Sequence, residues 1–277
     1  MSMNNKIATG SDVFTSTSLG TGVAETELGT GINTPSQARS ITAIIPAYGA
    51  TGAYTAAQGA VAEINIRSDS VNLAPKRVIV SAGNGGVGTF IDVISPIIEE
   101  WEFNSPLTGQ SLLRCYGTSQ TANTVAFEAE CEVIYSSEPP TKQEKFWMKP
   151  NDETATSTAT GVKTTGGTIQ ITTGTQGGVI TDMWGLPYVA GTVTVSESLY
   201  GTFELQSNDF NDAMPLRFLA QPMASGLATN CLPMVKMSRR KCWKPTKNNT
   251  LITTYFTMDE AQTAAQAFIA GCGYIKT

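Results

Sequence analysis

The sequence predicts an all-β protein of two tandem β-sandwiches behind an extended N-terminal arm. The first observation behind this is that the second half repeats the first at a shift of about 140 residues. With one residue inserted (Met214), Ser68, Asn72, Ala74, Pro75 and Arg77 fall on Ser207, Asn211, Ala213, Pro215 and Arg217. Further on, Pro106, Leu112, Tyr116 and Thr118 match Pro245, Leu251, Tyr255 and Thr257. Ala126, Phe127, Ala129, Cys131 and Ile134 match Ala267, Phe268, Ala270, Cys272 and Ile275. The second observation is local pattern: short β-prone runs separated by Gly, Pro, Asn and Asp turns, roughly seven or eight strands per 100 residues. The third is composition. Only 15% of the residues are charged and the net charge is −5, so Thr, Ser, Asn, Gln and Gly must cover much of the surface. Such a surface suits a chain packed against copies of itself.

Residues 1–39 are rich in Thr, Gly and Ser and almost free of aromatics, which reads as an arm ordered by contact with other chains or a membrane. With Lys6 and Arg39 set against Asp12, Glu25 and Glu27, the arm lacks the basic charge that would neutralise nucleic acid. The first sandwich is expected over 40–135, with strands at Ile41–Ile45, Ala60–Ile66, Val78–Val80, Ser111–Tyr116 and Val125–Tyr135. Phe127 to Val133 alternates most cleanly, with Glu128, Glu130 and Glu132 on one face. Phe90–Trp101 is compatible with a short helix interrupted by Pro96. Residues 136–166 read as a linker with a mixed-charge stretch around Phe146-Trp147. The second sandwich is expected over 167–277, through Thr168–Thr172, Val193–Val195, Gly201–Leu205, Leu216–Ala220, Thr250–Thr257 and Ala265–Ile275. A one-to-two-turn helix is expected at Asp259–Ala267.

The absence of histidine removes Ser-His-Asp, Cys-His and His-Glu-x-x-His chemistry together. No catalytic residue, cofactor site or metal site is expected. The five cysteines, Cys115, Cys131, Cys231, Cys242 and Cys272, lack C-x-x-C spacing and read as buried apolar residues in a reducing cytoplasm. The first residues, Met1 to Ile7, hold no apolar h-region and no run approaches a membrane span, so synthesis in the cytosol is expected.

Three constellations need weighing. Gly83-Asn84-Gly85-Gly86-Val87-Gly88 follows Val78-Ile79-Val80 and matches the dinucleotide fingerprint. Pro96 within the required helix, the missing acidic ribose ligand and the loss of the pattern in the second copy favour an inter-strand loop. Lys236, Arg239, Arg240, Lys241, Lys244 and Lys247 gather six of 18 basic residues around Trp243, while Glu99, Glu100 and Glu102 surround Trp101 in the first copy. Opposite charge on sister loops points to pairing between neighbouring subunits, with Glu99, Glu100, Glu102, Arg239, Arg240 and Lys241 as the contact candidates. The shared Ser, Asn and Pro of the repeat read as a structural turn rather than a duplicated active site.

In architecture and size, over about 40–135 and 167–277, the chain resembles the double jelly-roll major capsid proteins of membrane-containing icosahedral viruses such as corticoviruses and tectiviruses. The resemblance implies two eight-stranded jelly rolls side by side and three chains in a pseudo-hexagonal capsomer. It implies a virion shell of homotrimers around an internal membrane, with the arm reaching toward lipid or a neighbour. Penton and minor capsid proteins would be further partners, and nucleic acid would not be read by sequence. A different reading keeps the tandem sandwiches as a receptor- or glycan-binding protein of a phage tail or adhesin, with Trp184, Tyr188 and Tyr200 as its exposed aromatics.

Overall fold

The computed structural model describes residues 10–19, 24–50, 60–68, 76–82, 101–119, 127–150, 155–157, 160–171, 177–189, 199–220, 238–259 and 266–277. All regular structure in these residues is antiparallel strand, in four sheets. The first half supplies β1 (Gly10–Leu19), β2 (Thr26–Glu27), β3 (Ile32–Asn33), β4 (Ser40–Ala50), β5 (Ala60–Ser68), β6 (Lys76–Ala82), β7 (Trp101–Pro106), β8 (Leu112–Ser119) and β9 (Phe127–Ser136). They form one sheet in the order β1-β9-β4-β7 and a second in the order β2-β8-β5-β6, with β3 also on β8. The second half supplies β10 (Lys145–Met148), β11 (Ala155–Ser157), β12 (Thr164–Ile171), β13 (Gly178–Val189), β14 (Leu199–Ser207), β15 (Phe210–Ala220), β16 (Ser238–Thr246), β17 (Thr250–Met258) and β18 (Gln266–Lys276). Its sheets run β10-β18-β13-β16, with β11 also on β18, and β12-β17-β14-β15.

Each strand presents alternate residues to the core, as a half-buried pleat dictates. On β8, Leu113 and Cys115 are buried between half-exposed Leu112, Arg114 and Tyr116; on β17, Ile252, Thr254 and Phe256 are buried in the same rhythm. The first core gathers Phe14, Ile41, Ile44, Ile64, Ile66, Cys115, Cys131 and Val133. The second gathers Ile169, Ile180, Met183, Phe203, Leu205, Phe256, Phe268 and Cys272, with Phe256 and Phe268 stacked at 3.8 Å.

The two halves carry the same local devices. In β4, one residue bulges between Ile41 and Ala43, and in β13 one bulges between Ile180 and Asp182. The bulged residue is a threonine in both: Thr42 donates to the Ile134 carbonyl at 3.2 Å and Thr181 to the Gly273 carbonyl at 3.4 Å. The turn from β7 to β8 places Gln110 at φ 63° and the turn from β16 to β17 places Asn249 at φ 61°. Ser111 and Thr250 each hook their hydroxyl back to the carbonyl three residues earlier, on Thr108 and Lys247. Strand pairing sets Tyr116 opposite Asn65 and Tyr255 opposite Glu204.

The same register corrects two correspondences read from the sequence. Ile41 faces Tyr135 and Ser105, and Ile180 faces Tyr274 and Lys244. This makes Tyr135 the counterpart of Tyr274 and Cys131 the counterpart of Ala270, two residues short of Cys272. Opposite Asn65 stands Arg77, while opposite Glu204 stands Pro215, so Arg77 corresponds to Pro215; Pro75 and Asn72 lie outside the described residues. A two-residue slip preserves the inward face of a strand, which is why residue matching alone tolerated it.

Larger corrections concern the arm and the linker. Residues 10–33 are not an arm: β1 pairs with β9 along its length, and β2 and β3 both pair with β8. Phe14, Leu19 and Leu28 are buried in the first core, and Tyr135 donates to Asp12 at 2.9 Å. The physical reason is pairing: without β1, the row of backbone groups along β9 would be left unpaired at an open edge. Sparse apolar residues in a Thr-rich segment hid this strand. Within the expected linker, β10 and β11 supply the strand beside β18. The expected Val193–Val195 strand and the residues 90–100 and 260–265 of the expected helices lie outside the described residues, and Trp101 opens a strand. β13 and β16, missed by periodicity, complete the sheet.

Burying Phe14, Leu19 and Leu28 contributes about 1.5–3 kcal/mol each, comparable in total with the stability of a whole domain. Deleting residues 1–39 is therefore expected to abolish folding of the first sandwich. Far-UV circular dichroism and yield of soluble protein check this; a folded, soluble deletion product would show that β1 to β3 are dispensable.

Candidate functional site

The densest chemistry in the described residues lies where the two halves meet. β7 ends the first sheet of the first half, and its Trp101, 1% exposed, sits against Trp147 of β10 and Trp184 of β13. The rings meet edge to face, at 4.7 Å and 86° for Trp101–Trp147 and 5.6 Å and 83° for Trp101–Trp184. Such pairs contribute about 0.5–1.5 kcal/mol beyond the area they bury. The indole N–H of Trp147 donates across the junction to the Glu102 carbonyl at 2.8 Å. Trp184, Leu186 and Ile269 lie on the outer face of the β10-β18-β13-β16 sheet, yet pack with the first core rather than the second.

Two glycines make room for this arrangement. A Cβ on Gly271 would stand 2.0 Å from the Met148 carbonyl oxygen and 2.6 Å from the Trp184 ring; one on Gly273 would stand 2.8 Å from the Trp147 ring. Any larger residue on that strand face would displace the tryptophans.

Beside the tryptophans lies a buried charge cluster. Asp182, on β13, is fully buried and forms an ion pair with Lys145 of β10. Its other oxygen lies 3.3 Å from Arg239 Nε and 3.0 Å from Lys241 Nζ, both of β16. The Thr181 hydroxyl donates to Asp182 at 2.7 Å. Arg239 also lies 4.4 Å over the Trp147 ring and Lys145 lies 4.5 Å from it, so the cations bridge the carboxylate and the aromatic face. Burial alone would raise the Asp182 carboxyl, but hydrogen bonds from Lys145, Thr181 and Lys241 outweigh it and hold the group below the usual carboxylate range. Burial pushes Lys145 down from its ordinary value despite its carboxylate partner.

The sequence-derived contact candidates fall in and around this junction. Trp101 and Trp243 sit on strands, β7 and β16, where charged loops were expected. Lys241 Nζ lies 3.8 Å from Glu102 Oε2 of the same chain, both groups being well exposed. Arg239 faces Asp182 and Trp147, and Arg240 donates to the Pro215 carbonyl at 3.1 Å. Glu99 and Glu100 lie outside the described residues, as does the Gly83–Gly88 loop. Trp184 is buried at 2%, so it is not an exposed aromatic for a glycan; Tyr188 and Tyr200 belong to β13 and β14. Asp182 and Lys145 escaped the sequence reading. The usable signal was a lone aspartate inside Val179-Ile180-Thr181-Asp182-Met183-Trp184, an apolar strand in which a charge demands a partner.

Other chemistry is sparse. Cys115, Cys131, Cys242 and Cys272 are free thiols. Burial raises Cys131 and Cys272, and Cys242 is pushed up to about 11 by burial and by Asp182, so these three are not ready thiolate nucleophiles. No group of three His, Cys, Asp or Glu side chains among the described residues could hold a metal ion. No helix in the described residues is long and apolar enough to cross a membrane.

No protein-family model matches the chain, and no curated protein matches it. Among solved structures, it is similar to PNGF-II at 8% identity and a TM-score of 0.42, over 91% of this chain and 59% of that one. It therefore spans less than two thirds of PNGF-II. It is also similar to the structure of infectious bursal disease virus Gx strain, at 11% identity and a TM-score of 0.30, over 100% of this chain and 73% of that one. A third likeness is to the CBM22-1-CBM22-2 tandem domain from Paenibacillus barcinonensis Xyn10C, at 12% identity and a TM-score of 0.24, over 98% and 92% of the two chains. At such TM-scores none of these likenesses carries an argument.

Replacing Asp182 by Asn leaves three cations facing one another without their carboxylate, and is expected to cost about 3–5 kcal/mol in urea unfolding. The pH dependence follows from the lowered folded value. The Asp182 contribution is complete above the unfolded carboxylate value of about 3.9 and is lost as pH falls through the lower folded value. The variant should therefore lose less stability than the unaltered protein in that acid window; parallel pH profiles would show that Asp182 is not the group responsible.

Proposed function

We propose that the chain is a structural capsid protein whose function is assembly. Its two halves are read as two eight-stranded jelly rolls, with three chains closing into a pseudo-hexagonal unit that tiles an icosahedral shell around an internal membrane. The observation that supports this best is strand order. With β2 and β3 taken as one interrupted strand, and β10 and β11 as another, each half holds eight strands. In both halves the first, eighth, third and sixth strands form one sheet and the second, seventh, fourth and fifth the other. Two successive Greek keys produce that interleaving.

The junction supports the same reading. The Trp101, Trp147 and Trp184 contact and the Asp182 cluster join the halves side by side through packing and charge. On this reading no residue is catalytic, and the partners are further copies of the chain, penton and minor capsid proteins, and lipid. Because 10–33 belongs to the first sandwich, the membrane or neighbour contact once given to the whole arm is assigned to residues 1–9. The place of action is the virion, after synthesis in the host cytoplasm.

Sedimentation velocity of the purified protein tests the proposal. Trimers that associate further into closed shells visible by negative-stain electron microscopy are the expected result. A monomer at every concentration and salt level overturns it, and glycan binding by that monomer would establish the tail-fibre or adhesin reading instead.

A further inference from the structure

Within one chain, the edge of the first sandwich rests on a particular surface of the second. Trp101 and Glu102 of edge strand β7 meet the outer face of the β10-β18-β13-β16 sheet, at Trp147, Trp184, Arg239 and Lys241. The internal repeat supplies a counterpart for each partner. The edge counterpart of β7 is β16, which ends its own sheet. The face counterpart is the outer side of the β1-β9-β4-β7 sheet, and among the described residues no strand of the second half packs extensively on β1, β4 or β9. A chain that joins its own halves by edge on face thus carries a second edge and a second face of the same kind.

The chemistry of this edge and this face is complementary. Strand register makes Glu130 the counterpart of buried Ile269, Glu132 the counterpart of Gly271 and Ile45 the counterpart of Trp184. The covered sheet carries apolar residues and glycines at these places; the uncovered one carries a row of carboxylates. Glu128, Glu130 and Glu132 project from one face of β9, about 7 Å apart along the strand. Val13, 55% exposed, stands opposite Glu132. At the edge, Trp101 corresponds to Arg240, which is exposed, and Ser105 corresponds to Lys244. Trp243, 68% exposed, lies between them. The first edge is aromatic and seats on a face of tryptophans and cations; the second is cationic and the remaining face is acidic.

We propose that the Glu128, Glu130 and Glu132 face of one copy receives the β16 edge of a second copy, through Arg240 and Lys244 with Trp243 packed beside Val13. The proposal rests on the assembly reading above and names the surfaces that carry it. The contact is head-to-tail, so each chain uses one edge and one face, and the series closes into a ring or extends according to the rotation at each step. Its charge pairs set which surface meets which, and make the step sensitive to salt.

The test is charge reversal in the full chain, read by sedimentation velocity at low and high salt. One variant carries E128K, E130K and E132K, a second carries R240E and K244E, and a third carries all five. All are surface changes, and melting temperature and far-UV circular dichroism establish that each variant is folded. Each single-surface variant is expected to weaken self-association at least about tenfold, and the five-fold variant to restore it. A milder E130Q and E132Q variant should lose salt sensitivity while keeping its melting temperature. If the unaltered protein assembles and either single-surface variant assembles equally well, or the combined variant is no better, this contact is wrong while the assembly reading stands. If the unaltered protein never assembles, both fall.

Discussion

A carboxylate with no exposure to water organises the centre of this molecule. Asp182 lies on a central strand of its sheet, where ionisation is tolerated only with partners close by. Those partners come from both flanks: Lys145 from β10, and Arg239 and Lys241 from β16. Two of them, Lys145 and Arg239, lie over Trp147, which bonds to the Glu102 backbone of the other half. One buried charge thereby fixes two edge strands of its own sheet and the strand of the first sandwich that rests on them. Position 43 in the first half, the counterpart of Asp182, is Ala43, buried and uncharged. The two sandwiches share their strand order but not this device, so the charge belongs to the joining of the halves rather than to the fold of either.

Some of this was legible in the chain. The all-β class followed from the alternation in Ala60–Ile66 and Phe127–Tyr135, and the repeat from ordered matches such as Tyr116 with Tyr255. What stayed hidden had physical causes. β1 is written largely in Ser and Thr, with Phe14 and Leu19 as buried anchors, and its pairing depends on β9, more than 100 positions away. β13 contains Asp182, Gly185 and Pro187, each locally unfavourable in a strand interior, and its identity comes from the strands on either side. β16 was masked by its charge: Arg239, Arg240, Lys241 and Lys244 read as a basic loop pairing with a neighbouring subunit, although they lie on an edge strand whose cations point toward Asp182, the Pro215 carbonyl and solvent.

The repeat also diverged in an informative way. The bulge threonines and the left-handed turn residues kept their geometry in both halves, because backbone register leaves few alternatives there. Residues on the outer faces changed freely, from Glu130 and Glu132 in one half to Ile269 and Gly271 in the other. The interior fixes a jelly-roll-like pairing, while the outer faces record what each half is packed against.

The pairing of β1 with β9 and of β10 with β18 bears on how the chain acquires this structure. In each half the first strand finds its neighbour in the last, so neither sandwich can close until almost the whole of that half has been synthesised. The early strand must wait through more than a hundred intervening residues, and loop-closure entropy opposes the search until the last strand arrives. During that interval Phe14 and Leu19 in one half, and Phe146 and Trp147 in the other, are exposed beside unpaired backbone. The N-terminal half can pair its own strands on the ribosome, but its core, which includes Trp184, Leu186 and Ile269, is complete only after β18 has emerged. Folding of these two sandwiches is therefore paced by translation and waits for β18.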